Sequence, residues 1–187
     1  LFIPENVNCI KEGAFSYTKI IEILVAPNNS TYYSENNCII EKTTKTLIVG
    51  CGGSVIPNDA SVTTIGKEAF SGCYMGTISI PNNITFIEKF AFAGCVNLEE
   101  ITIPSSVKSI GDGAFVYCIS LTSITISSNI TSIGYCAFNC CKSLINIDVD
   151  KDNPIYDSRN NCNAIIETAT NTLIRGCKNT IIPSTVI

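Results

Sequence analysis

The sequence predicts a β-rich α/β solenoid with coils of about 23 residues, a period typical of stacked repeats, and three observations predict it. The block Ala-Phe-x-x-Cys recurs, with Phe92, Phe115 and Phe138 evenly spaced and Phe70 one residue closer to Phe92 than that spacing. Twelve residues after the aromatic comes Pro or a stand-in, as in Phe15/Pro27, Phe92/Pro104 and Phe115/Ser127. Before that Pro the chain alternates in short apolar doublets such as Ile101/Ile103 and Ile124/Ile126. A fixed period in this range marks stacked repeats because one unit cannot bury its apolar face alone.

Each element of the unit has a physical reading. One unit runs Leu98-x-x-Ile101-x-Ile103-Pro104-x-x-Val107-x-x-Ile110-x-x-x-Ala114-Phe115-x-x-Cys118, and the next repeats it from Leu121 to Cys141. Period-two alternation at Ile101 and Ile103 predicts a short strand. The Pro that follows lacks a backbone donor and stops the ladder. The spacing from Val107 to Ile110 and on to Ala114-Phe115 predicts a turn, then a short helical or 3₁₀ return. Gly111 and Gly134 sit at the bend before that return, where positive φ or tight packing is expected. Strand ends are expected at Ile3, Ala26, Ile56, Ile80, Ile103, Ile126, Val149 and Ile182, about eight strand-bearing coils in one domain over residues 1–187. Stacked in register, they form a parallel sheet on the concave face. Equivalent residues then make core ladders, with Phe15, Phe70, Phe92, Phe115 and Phe138 in one and Cys73, Cys95, Cys118 and Cys141 in another.

Two coils are longer and match each other. Tyr32, Asn36-Asn37-Cys38 and Ile39-Ile40-Glu41 correspond to Tyr156, Asn160-Asn161-Cys162 and Ile165-Ile166-Glu167. In each, two apolar runs flank a short polar loop, which predicts a β-hairpin on the return side, residues 38–41 with 46–49 and 165–167 with 172–174. The hairpin coil that ends at Pro57 recurs in the one that ends at Pro183, a higher-order repeat.

The motif Leu-x-x-Ile-x-Ile-Pro-x-Ser-Val-x-x-Ile-Gly-x-x-Ala-Phe-x-x-Cys resembles the BspA-like leucine-rich repeats over nearly the whole chain. Departures are Thr18 for Cys, Phe90 in the turn, Ser127 and Asp150 for Pro, and a one-residue deletion between Cys73 and Ile78. The resemblance implies a secreted or surface protein of the kind found in anaerobic bacteria and some protist parasites, implicated in adhesion to host and neighbouring cells. It thereby implies an extracellular or cell-surface location.

Composition narrows the chemistry. Lys plus Arg is 12 against Asp plus Glu 16, a net charge of −4 without a basic cluster, so nucleic acid is not an expected partner. No apolar run reaches the roughly 18 residues of a spanning helix, and no membrane insertion by this segment is expected. The chain opens on Leu1-Phe2-Ile3-Pro4-Glu5, without a charged leader, and begins and ends at the same repeat phase, so it reads as a fragment of a longer array. There is no His, which removes the commonest general base and metal ligand together. Neither a cofactor nor a metal site is expected.

The eleven cysteines invite sharper readings. The four ladder positions read as a buried thiol column, since free Cys packs as a small hydrophobe. Cys38 with Cys51 and Cys162 with Cys177 read as hairpin core, with disulfides the alternative. Cys136, Cys140 and Cys141 cluster without a Cys-x-x-Cys pair, a weak zinc proposal; Cys136, Cys140 and Cys9 are expected to be more exposed. A Cys nucleophile would lack its His. Glu99-Glu100 and the pair Asp148 and Asp150 are expected to be solvated surface. Asn28, Asn29, Asn83 and Asn129 each begin an Asn-x-Ser/Thr sequon, meaningful only in a glycosylating host.

These readings converge on a non-enzymatic module that binds a protein or a host or cell-surface ligand, weakly and multivalently. Its candidate residues are Glu99, Glu100, Thr102, Thr122, Thr125, Asn146 and Asp148, with Glu22, Thr77, Ser79 and Ser123 also outward. The face lacks the aromatic and Arg anchors of tight interfaces. A structural spacer carrying another domain is the alternative.

Overall fold

A computed structural model describes residues 1–186. The first strands are β1 (Phe2–Ile3), β2 (Leu24–Val25), β3 (Tyr32–Glu35), β4 (Cys38–Glu41) and β5 (Thr46–Val49). Next come β6 (Thr64–Ile65), β7 (Thr77–Ser79), β8 (Phe86–Ile87), β9 (Glu100–Thr102) and β10 (Ser109–Ile110). The chain continues with β11 (Ser123–Ile126), β12 (Ser132–Ile133), β13 (Asn146–Val149), β14 (Tyr156–Asp157), β15 (Ala164–Glu167) and β16 (Thr172–Gly176).

These strands form a β-solenoid with two ladders. The expected one is in three pieces, β1 with β2, β7 with β9 and β11 with β13, all parallel. β9 and β11 are linked by Thr122 N donating to Glu99 O at 3.1 Å. The second ladder has no counterpart in the sequence reading: β6, β8, β10 and β12 pair in parallel through two residues each, where a turn was expected after Val107. Only Ile65, Ile87 and Ile110 of the first three are buried, so the alternation is too short to show as a period.

The helical return is corrected. Among the described residues the one helical segment is a 3₁₀ turn at Arg159–Asn161, in the second hairpin coil. The regular return is a chain of turns. Ala114 N and Val116 N bond back to Gly111 O and Gly113 O, whereas Gly113 N and Phe115 N bond forward to Tyr135 O and Ala137 O at 2.9 and 2.8 Å. Alternate amides therefore serve the neighbouring coil, which a helix, with its amides committed internally, could not do. Left-handed residues four apart, Gly113 and Tyr117 or Cys136 and Cys140, enforce the break.

Strand ends are corrected at five places; at two of them β7 stops at Ser79, before Ile80, and β9 at Thr102, before Ile103. Ile3 pairs with Val25, not Ala26, because the Phe15–Ile23 stretch is one residue shorter than its equivalent. Ile56 and Ile182 lie outside any strand. At Ile56 the hairpin turn takes over, with Val55 N donating to Asn36 O at 3.0 Å.

Both hairpins form antiparallel as expected, β4 with β5 and β15 with β16. Each gains a third strand that the sequence reading missed, β3 on β4 and β14 on β15. The missed signal was Asn36-Asn37, whose φ values of 49° and 62° are what a two-residue hairpin turn requires. β5 continues into the second ladder by pairing with β6.

Candidate functional site

The register of the first ladder sorts the candidate residues into rows. Thr77 pairs with Glu100 and Ser123 with Asn146; Ser79 pairs with Thr102 and Thr125 with Asp148. Ile101, Ile124 and Ile147 between them are buried, so the rows stand on an apolar floor and point outward. Glu100, Thr102, Thr125, Asn146 and Asp148 thus share one face and are exposed. Glu99 and Thr122 lie at the strand entrance instead. Thr122 is half-buried, and its hydroxyl donates to Glu99 O at 3.2 Å, which ties it to the neighbouring coil. Neither row carries Lys or Arg.

In the separate N-terminal sheet of β1 and β2 the outward positions are apolar. Phe2 and Leu24 are opposite each other, 61% and 50% exposed. Sequence reasoning missed Leu24 because the misplaced strand end at Ala26 turned it inward. The carboxylates do not converge: Asp148 faces out, whereas Asp150 Oδ1 accepts from Asp152 N at 3.0 Å and closes the turn after the strand.

Beneath the face lie two columns. The rings of Phe70, Phe92, Phe115 and Phe138 stack with centroids 5.2, 5.2 and 5.4 Å apart and planes within 5°. That spacing follows from the coil rise, slightly enlarged by ring offset. Phe15 is not in the column. It is half-buried in a separate cluster with Ile3, Ile23 and Ile39, because the first hairpin coil intervenes and sets Gly50 over Phe70. A Cβ at Gly50 would come within 2.0 Å of that ring.

The thiols of Cys95, Cys118 and Cys141 donate to Phe70 O, Phe92 O and Phe115 O at 3.1, 3.2 and 3.2 Å; Cys73 reaches Gly50 O at 3.5 Å. All four are buried. Burial pushes the Cys73 and Cys95 thiols up to about 12 and Cys141 to about 11, and raises Cys118 as well. These thiols are neutral packing groups, not nucleophiles. Among the described residues all eleven cysteines are free. Cys9 is exposed; Cys136 and Cys140 are partly so, and the Asn139 amide donates to Cys136 Sγ at 2.9 Å.

A model of the BspA type leucine rich repeat region matches residues 1–47 and 51–166 in six copies. The chain belongs to the BspA-type leucine-rich repeat family. Among solved structures it is similar to a leucine rich cell surface protein from Faecalibacterium prausnitzii, with a TM-score of 0.71 and 28% identity over 81% of this chain and 42% of that one. A leucine-rich repeat protein from Bacteroides ovatus gives 0.53 and 29%, over 81% and 37%. The pneumococcal vaccine antigen PcpA shares the fold at 0.68 and 19% identity, over 81% and 38%. The chain thus spans less than half the length of these relatives. No curated protein matches it. Among the described residues of this BspA-type chain, no helix is long and apolar enough to cross a membrane.

Proposed function

We propose that this BspA-type solenoid is a non-enzymatic binding module of a cell-surface or secreted protein, whose strand face holds protein ligands for adhesion. The observation that carries the reading is the pair of outward rows, Thr77/Glu100 with Ser123/Asn146 and Ser79/Thr102 with Thr125/Asp148, set in register on a rigid apolar floor. Repeat proteins use such continuous surfaces as extended binding sites. The rows hold short polar and acidic side chains and no cation, so each contact is weak and the partner surface is basic or polar. Binding strength then comes from many coils acting together.

The test compares the protein with a variant carrying Glu100→Lys, Thr102→Lys, Thr125→Lys and Asp148→Lys on immobilised matrix proteins and whole cells. These positions are exposed, so the fold is retained, and retention on the surface is expected to drop by about tenfold or more. Equal retention of both folded proteins would leave the face without a role and favour the spacer.

A further inference from the structure

We propose that the outer edge of β13 is a receptor for an extended polypeptide, which adds as a strand beside Ile147 and Val149. This goes beyond the face reading, since it uses backbone rather than outward side chains. In a parallel ladder, alternate residues address opposite neighbours. Asn146 N and Asp150 N turn back to Thr122 O and Ile126 O, at 3.3 and 2.8 Å. Ile147 and Val149 therefore present their N–H groups forward, toward the second hairpin coil. Among the described residues no turn or loop carbonyl and no side chain accepts from either, and β13 has no second partner strand.

The first hairpin coil shows the same edge filled. Ile23 and Val25 are the counterparts there of Ile147 and Val149. Ile23 N donates to Asn37 Oδ1 at 3.1 Å and Val25 N to Ser34 Oγ at 2.9 Å. Both closing residues recur in the second coil, as Asn161 and Ser158. There, however, Ser158 Oγ accepts from Ala164 N at 3.4 Å and leaves the edge alone.

Two differences hold the second loop away. Asn163 and Ala164 are inserted between the segments that match Cys38 and Ile39, which lengthens the turn. Arg159 stands where the first coil has Glu35. Its Nε and Nη2 donate to the two Asp157 oxygens at 2.8 and 2.6 Å, and its Nη1 to Asn171 Oδ1 at 2.9 Å. The loop is thereby clamped to its own hairpin. Between it and β13 opens a groove of about 920 Å³, lined by Ile147, Asp148, Val149 and Asn161.

Donors two residues apart along a strand are matched by an extended backbone, whose carbonyls repeat at the same period. Asp148, on the strand between the two donors, has no ion-pair partner among the described residues, so a basic side chain on the incoming strand is favoured.

The test uses amide NMR on the intact chain with a capped Thr-Val-Thr-Lys-Val-Thr peptide as probe. In the free protein the Ile147 and Val149 amides should exchange at least about tenfold faster than those of Ile23 and Val25. Adding peptide should slow both. Methylating one alternating set of its nitrogens should abolish binding, while methylating the other set should leave it within about twofold. Arg159→Glu, which restores the residue type of the first coil, should let the loop close, slowing exchange and weakening the peptide about tenfold. The proposal is overturned if the free amides are already as protected as Ile23 and Val25. It is equally overturned if millimolar peptide leaves them unchanged, if both methylated forms bind alike, or if Arg159→Glu changes nothing.

Discussion

The ladder thiols and the Phe carbonyls one coil earlier define the residue scale of this protein. Cys95, Cys118 and Cys141 each donate to such a carbonyl, so the column is hydrogen-bonded as well as packed. The positional identity of these residues was legible in the repeat; the donation was not, because it depends on the coil rise. Stability should respond to alkali. Burial holds Cys95 neutral from its ordinary 9.0 up to about 12, and Cys73 likewise. The folded state therefore keeps protons that the unfolded state releases, and the contribution is full below pH 9 and lost as pH rises toward 12. Urea midpoints measured across that window should fall steadily, and thiol reagents should label Cys9 in the native protein but not Cys95 until it unfolds. A midpoint unchanged through the window would mean that the column is hydrated.

At the scale of the element, the return segment is where sequence and structure part. The bend at Gly111 and Gly134 calls for positive φ or tight packing, and only the second reason holds. A Cβ at Gly111 would lie 2.5 Å from Lys89 N, and one at Gly134 2.3 Å from Asp112 N. The positive φ falls two residues later at Gly113 and Cys136, where residue type varies too widely to announce it. Backbone neighbours cannot step aside as a flexible side chain can. Gly111→Ala should therefore destabilise the protein by about 2–3 kcal/mol through overpacking. Gly76→Ala meets nothing within 4 Å and should be neutral or stabilising by up to about 1 kcal/mol. Urea unfolding of the two variants checks both; equal effects would contradict the packing seen between coils. The missed third hairpin strands have a similar origin, since Asn36-Asn37 makes sense as a turn only once Glu35 and Cys38 are known to pair.

For the whole molecule, coil length and the solenoid were legible because one period governs every buried residue. The hairpin coils interrupt that period, and the errors gather around them: Phe15 outside the aromatic column, Ile56 without a strand, Leu24 turned outward. The candidate face was legible in part. Strand alternation identified Glu100, Thr102, Thr125, Asn146 and Asp148 as outward, but the place of Thr122 at the strand entrance depends on its bond to Glu99 O. The outward positions are apolar at Phe2 and Leu24 and polar or acidic in the rows farther along. Amide shift mapping with the matrix protein that retains the chain tests the role of these rows most directly. The account predicts that perturbations concentrate on residues 77–79, 100–102, 123–126 and 146–149. Perturbations confined to the return turns around residues 113–117 and 135–140, with the strand rows silent, would contradict it.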